Sequence, residues 1–457
     1  MKKKYVSLFL AAAMTVSMIA GCGSGSSASQ AAPAESAAAS TAEAAAESTP
    51  AEAASTAEAA AESTPAEAAP EADPDADLYG PKYDDWSAMT DEELYEQAKA
   101  EGEDPIVVYA TSSKMLKVVD DFQEAYPGLT LEVSDLDNDE VLQKAKIEAE
   151  NNNVVADVLQ VKDSSGDVFY DYYEDGYIEP FYPQDISEKI TPDALKYGYP
   201  LYASQSMWYY NTEIFPDGQP VTSWWNFVEK NEDGSYKYKI FTKEIGKETT
   251  YLALFAEFIN HADEMAQAYK DLYGTDLEYT YDSSVFTQFQ VPENNAGVEY
   301  LWRFSQMVQD GNVTFIGDGD ELVQAVNNSD AEQPSLALAS AGKISNRDES
   351  GYNIAWITNI TPFTGLQNLE YMYLVSGTNK PAGARLFIRW VTGGADGASG
   401  GLKTFMKEGN WSVRSDVTND KNPVATVEEC GAIAPNISAI YENFYDVLDM
   451  WTKWATE

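Results

Sequence analysis

At 457 residues the chain is longer than one hydrophobic core usually serves, so two or more lobes are expected. Its 75 Asp and Glu against 29 Lys and Arg give a formal charge of −46, which argues against nucleic acid, a partner that needs clustered basic side chains. A single histidine, His261, and two cysteines, Cys22 and Cys430, give no basis for a His-based triad, a multi-His zinc site or a disulfide framework.

Lys2-Lys3-Lys4 precede an apolar stretch from Tyr5 to Ala20, the layout of a secretory signal. Its end, Ile19-Ala20-Gly21-Cys22, resembles the lipobox of bacterial lipoproteins, in which the cysteine is acylated and becomes the new N-terminus. The resemblance implies a signal peptide over 1–21, lipidation at Cys22, and a protein outside the cytoplasm anchored to the bacterial cell membrane. Several acyl chains would make that anchorage stable, since one chain binds marginally. Beyond residue 21 no run approaches the roughly 18 apolar residues of a spanning helix.

Residues 22–78 read as a disordered Ala/Glu/Ser/Thr/Pro tether. A unit from Ser40 to Ala54 recurs unchanged from Ser55 to Ala69, and no aromatic or large aliphatic side chain occurs between Cys22 and Leu78. Nothing there can form a core. Eleven acidic residues and no Lys or Arg between 23 and 81 make the segment self-repelling and extended.

The folded sequence begins near residue 79. Thr90-Asp91-Glu92-Glu93 is a capping box that opens a helix carrying Leu94 and Ala98, stopped by Gly102. Ile106-Val107-Val108-Tyr109 predicts a strand, and Ala110 to Ser113 a polar loop. Lys114 to Tyr126 predicts a helix with Met115, Phe122 and Tyr126 inward, ended by Pro127-Gly128. Leu129, Leu131 and Val133 alternate as a second strand. A helix carrying Val141, Leu142 and Ala145 follows, then a strand from Ala156 to Val161. This alternation predicts an α/β class with mostly parallel sheets flanked by helices, whose ligands meet the carboxyl ends of the strands. Thr111, Ser112 and Ser113 are therefore ligand-binding candidates, one of the two serines also being expected to cap the helix that follows.

From here the order of segments resembles a known family. Glu92 to Ser113, Val118 to Val133 and Val154 to Val161 are similar in order and spacing to the extracellular solute-binding proteins of bacterial ABC importers. The nearest branch is the type II group of ferric-iron, thiamine, polyamine, phosphonate and hexose-phosphate binders. Tyr209-Tyr210-Asn211 with Ser223-Trp224-Trp225, the stretch from Leu336 to Ala339, Asn379 to Phe387, and Gly409 to Asp416 continue the likeness, over roughly 88–420. The resemblance implies a two-lobed periplasmic-binding-protein fold joined by a two-strand hinge, with the ligand between the lobes. Lobe one is expected over 79–205 plus about 335–375, lobe two over 206–334, and a C-terminal helical region over 376–457.

On that frame, Lys162 and Asp163 follow a strand end and become candidates, Lys162 for an anionic and Asp163 for a cationic ligand group. Ser206 enters the hinge strand, and Trp208 is the aromatic expected to reach the cleft, with Tyr209 and Tyr210 on opposite faces. Thr249 and Thr250 precede an apolar helix, and Ser340 ends the strand from Leu336. Trp224 and Trp225 are assigned to packing, as is the face Tyr441, Phe444, Leu448 and Trp451. Asp135, Asp137 and Asp139 suggest a calcium loop, but Glu140 stands where glycine is needed and Lys146 where glutamate is needed. Cys430 reads as a free, partly buried thiol.

The expected function is a receptor that binds a small polar solute and passes it to an ABC transporter permease, with no catalytic residues, cofactor or metal, and as a monomer. The abundance of Trp and Tyr favours a sugar, a sugar derivative or a polyamine. The alternatives are a ferric-iron receptor on the same fold, a ligand sensor uncoupled from transport and, last, a surface glycan-acting enzyme.

Overall fold

A computed structural model describes residues 79–281, 294–398 and 400–456. The signal peptide, Cys22 and the tether fall outside the described residues. The strands, in chain order, are β1 (Ile106–Ala110), β2 (Leu131–Asp135), β3 (Val158–Lys162), β4 (Ile178–Pro180), β5 (Tyr199–Ser204), β6 (Ser206–Asn211) and β7 (Lys239–Thr242). They continue with β8 (Val313–Phe315), β9 (Ser335–Ser340), β10 (Ile354–Ile357), β11 (Gly365–Leu366), β12 (Asn368–Val375), β13 (Asn410–Trp411) and β14 (Ala432–Ile433).

Two sheets result. The first runs β13-β5-β12-β3-β1-β2, with β4 beside the far end of β12. Here β1, β2 and β3 are parallel and β12 runs against both β3 and β5, so β12 and β13 alone oppose the common direction. The second sheet runs β10-β6-β9-β7-β8, with β6 alone reversed. Near-continuous apolar strands such as Val158-Leu159 and Leu336 to Ala339 suit such sheets, which are covered on both faces.

Local signals produce the helices as predicted in several places. Thr90 and Glu93 make the reciprocal capping bonds that open the helix Asp91–Ala98. The predicted helix after Ser113 begins as a 3-10 segment, Ser113–Val118, and becomes α-helical over Val119–Ala125. The helix Pro381–Val391 packs on Asp91–Ala98, and its buried Arg389 holds Asp185 at 2.6 Å and Asp91 at 2.5 Å.

The chain passes between the sheets three times. Gln205 alone separates β5 from β6. The return runs from β10 through β11 to β12, and the third passage leaves β13, pairs β14 with β11, and enters the helix Ile437–Thr456. That helix lies against Thr249–Asn260 and Ala296–Gln309 of the second lobe.

These passages move two expected boundaries. Residues 335–375 do not return to the first lobe as a block: β9 sits between β6 and β7, and β10 is the edge beside β6. There Leu336 to Ala339 are buried, with β6 on one edge and β7 on the other. The return to the first lobe comes at Asn368. Likewise 376–457 is not one region, since Pro381–Val391 belongs to the first lobe and Ile437–Thr456 to the second.

Candidate functional site

At the carboxyl end of β1 the chain turns away from the sheet at Thr111, whose N–H is held by the Gln160 carbonyl of β3. The register places Glu370 of β12 opposite Lys162 of β3 on one side and Tyr202 of β5 on the other. Cross-strand partners share a face, so these three side chains converge. Glu370 is 2% exposed. Its carboxylate accepts from Gln160 Nε2 at 2.5 Å, pairs with Lys162 Nζ at 3.1 Å, and lies 3.5 Å from Thr111 Oγ1. The Tyr202 hydroxyl is pushed well above its ordinary range by burial and then by this carboxylate. Glu370 in turn holds the Lys162 ammonium above its usual value.

Lys114, one residue past the loop, lies half-buried with Nζ 5.9 Å from the centre of the Tyr202 ring. Burial, then repulsion from Lys407, pushes its ammonium down to about 8, with Glu370 opposing the shift. Lys407 arrives on a segment pressed against the second lobe. Gly409, at φ +87°, lets its backbone approach so closely that a Cβ there would sit 2.3 Å from the Gly342 nitrogen. The ion pair Arg347–Glu408 at 3.2 Å and the ring pair Trp356–Trp411 tie the same junction.

The second lobe contributes β6 and β9, whose register sets Ser206 beside Ser340. Ser340 is exposed and Ser206 half-buried. Glu248, which precedes the helix Thr249–Asn260 and pairs with Lys243 at 2.8 Å, is close enough to favour the charged form of Lys162. On the other face of the first sheet, a cavity of about 270 Å³ opens between the lobes, lined by Asp163, Ser164, Lys196, Asn368, Ala253 and Asn436.

The candidate residues thus separate into groups. Thr111 and Lys162 lie in the cluster around Glu370. Ser206 and Ser340 meet at the junction. Ser112 and Ser113 border the cluster, but neither hydroxyl caps the following helix; the Ser112 carbonyl takes the Met115 N–H instead. Thr249 and Thr250 stand at a helix start where Glu248 holds the N-cap position. Asp163 borders the cavity, yet its carboxylate accepts the N–H groups of Gly166 at 2.8 Å and Phe169 at 3.0 Å. It pins a turn.

Trp208 does not reach the cleft. It is 1% exposed and stacks on Phe227 at 4.2 Å, edge-on to Trp224, inside the second lobe. Strand alternation gives the reason: Ser206, Trp208 and Tyr210 share the face of β6 that the segment Trp224–Val228 covers. Tyr209 takes the other face, donating toward the Ser340 and Ala341 carbonyls, both 2.8 Å away. Trp224 and Trp225 are core, as assigned from the sequence. Cys430 is a buried free thiol.

Sequence reasoning missed Glu370, Gln160, Tyr202, Lys114 and Lys407. A polar residue at every second position, Gln160 and Lys162, was a weak signal for one of them. The others acquire meaning only through cross-strand register.

The sequence profile described as bacterial extracellular solute-binding protein matches residues 117–428. Among curated protein sequences none matches the chain. Solved structures share the fold at low identity. Iron-bound HitA from Pseudomonas aeruginosa superposes with a TM-score of 0.54 at 13% identity, covering 77% of this chain and 99% of that one. Ferric iron-binding protein A of Mannheimia haemolytica, in an open conformation, gives 0.52 at 12%, covering 77% and 98%. AfuA of Actinobacillus pleuropneumoniae, with fructose-6-phosphate bound, gives 0.51 at 15%, covering 77% and 98%. The architecture is that of a two-lobed type II periplasmic binding protein.

Proposed function

Because this chain belongs to the bacterial extracellular solute-binding protein family, we propose that it is a lipid-anchored receptor that captures a small polar solute between its lobes and delivers it to the permease of an ABC importer. The observation that carries this reading is the polar cluster at the strand ends of the first lobe. There Glu370 orients Gln160, Lys162, Thr111 and Tyr202 beside the passage to Ser206 and Ser340. Side chains held by one another at a sheet's carboxyl edge form a preorganised binding surface, and the reading assigns them binding rather than catalysis.

Capture would work by closure. A solute that touches both lobes only when they are together favours that state by the difference in its affinity for the two. Lipid on Cys22 and the acidic tether would keep the receptor near its permease. Ferric iron ranks behind a polar organic solute, because Tyr209 and Tyr210, the adjacent pair at the junction, point to opposite faces of β6. The related folds carry iron in one case and a sugar phosphate in another, so fold alone leaves the solute open.

A thermal-shift screen of the purified protein against sugars, sugar phosphates, polyamines, thiamine and ferric salts tests the proposal. A true ligand at 100 times its dissociation constant adds about 2.7 kcal/mol of stability and a clear rise in melting temperature. No shift from any compound in the panel would count against the receptor reading.

A further inference from the structure

The charge around Glu370 does not balance. Lys114 stands over the Tyr202 ring beside the Glu370–Lys162 pair, and its ammonium is repelled by Lys407, then by Lys162 and Lys117. Glu370 and Glu248 are the carboxylates that act on them, and both are already engaged, Glu370 by Lys162, Gln160, Thr111 and Tyr202 and Glu248 by Lys243. Among the described residues, neither the Lys114 nor the Lys407 side chain makes an ion pair with a carboxylate. This occurs in a chain with 75 acidic residues, where about half of the other described lysines, Lys189, Lys230, Lys243 and Lys270 among them, pair with an Asp or Glu.

Half-burying an ammonium beside two others is unfavourable. Each like charge at short range raises the energy of the ionised form, and desolvation adds to it. Packing offers no compensation, because Lys114 lies over the Tyr202 ring at 5.9 Å, a contact that suits a cation but does not neutralise it. A local excess of positive charge in an acidic protein, at the strand ends where solutes meet this fold, is the complement of a negative group.

We propose that the solute carries an oxyanion, a carboxylate or a phosphate group on a small organic molecule, and that Lys114 and Lys407 receive it beside Lys162. This rests on the receptor reading above. The oxyanion accepts charge-assisted hydrogen bonds from the ammonium groups, while Thr111, Ser340 and Ser206 remain for neutral hydroxyls of the same molecule. Glu370 is a positioning residue: it holds Lys162 and Tyr202 in place and, by its own charge, keeps the solute's anionic group toward Lys114 and Lys407. A polyamine is disfavoured by the same arithmetic of charge.

Titration calorimetry on the purified full-length protein at fixed ionic strength tests this with glucose, gluconate, glucose 6-phosphate, citrate and spermidine. The expected result is binding of at least one anionic probe, with glucose and spermidine at least tenfold weaker. The double variant Lys114→Gln, Lys407→Gln is expected to lose at least tenfold in affinity for that anion, while Lys230→Gln on the second lobe leaves it unchanged. Equal affinity in the double variant overturns the proposal, as does preferential binding of glucose or spermidine; both leave the receptor reading standing. Silence of all three anions overturns it too. The receptor reading fails separately, when the broader solute screen gives no thermal shift.

Discussion

A tryptophan on the strand that joins two lobes invites a stacking role toward ligand, and Trp208 has the surroundings of a core residue instead. Its ring lies on Phe227 and against Trp224, fully enclosed. Trp208→Ala is expected to cost about 3–5 kcal/mol of stability, the usual range for deleting a buried large aromatic. Solute affinity of the folded fraction should stay unchanged; chemical denaturation and calorimetry on the same sample separate the two. Asp163 makes a different prediction at this scale. Burial pushes its carboxyl up to about 7, against an unfolded value of about 3.9, although three backbone N–H groups oppose the shift. Between those values the folded protein binds more protons than the unfolded chain. The contribution is therefore fully present below about pH 4 and is lost as pH rises through about 7. Asp163→Asn cannot titrate and keeps an acceptor for one of the two N–H groups, Gly166 or Phe169, so its melting temperature should fall less steeply from pH 4 to 8 than that of the parent. Parallel curves would show that Asp163 does not govern the slope.

Among the elements, the segment through Gly409 presses its backbone directly against the second lobe. A Cβ at Gly409 would strike the Ala341 and Gly342 backbone, and φ +87° is itself strained for a side chain. Gly409→Ala should cost at least about 1 kcal/mol. Gly342→Ala, whose Cβ would meet atoms no nearer than 3.7 Å, should be close to neutral. A thermal melt comparing the two variants checks this, and equal melting temperatures would show that the junction can yield. The same scale decides what could be read from residues alone. The capping box at Thr90, the strand from Ile106 and the packing of Trp224 were legible because their signals are local. Thr111 and Lys162 were legible as strand-end positions. Glu370 was not, because it sits within the apolar run Asn368–Val375, and its partners come from segments far away in sequence. Trp208 was misjudged because alternation says that two faces differ but not which one is covered.

For the molecule as a whole, the proposed closure predicts a smaller radius of gyration by small-angle scattering once a bound solute is present. An unchanged profile at saturation would remove closure from the mechanism and leave binding to be explained by a rigid site. The first lobe is built from residues 79–204, 368–398 and 400–411, and the second from residues 206–281 and 294–357 together with the last helix. Neither lobe could be cut out as one continuous piece.

The position of β12 has a further consequence for how the chain is made. β3 and β5 do not pair with each other; each pairs with β12, which lies between them and follows the whole intervening part of the second lobe in sequence. A nascent chain that has completed β1 to β5 would hold β3 and β5 with the edges that face β12 still open, and could not join them in one sheet until synthesis reached Val375. Early segments would wait for a late strand. That delay is a liability for a protein that folds where it is made, and an advantage for one that must stay unfolded until it has crossed a membrane.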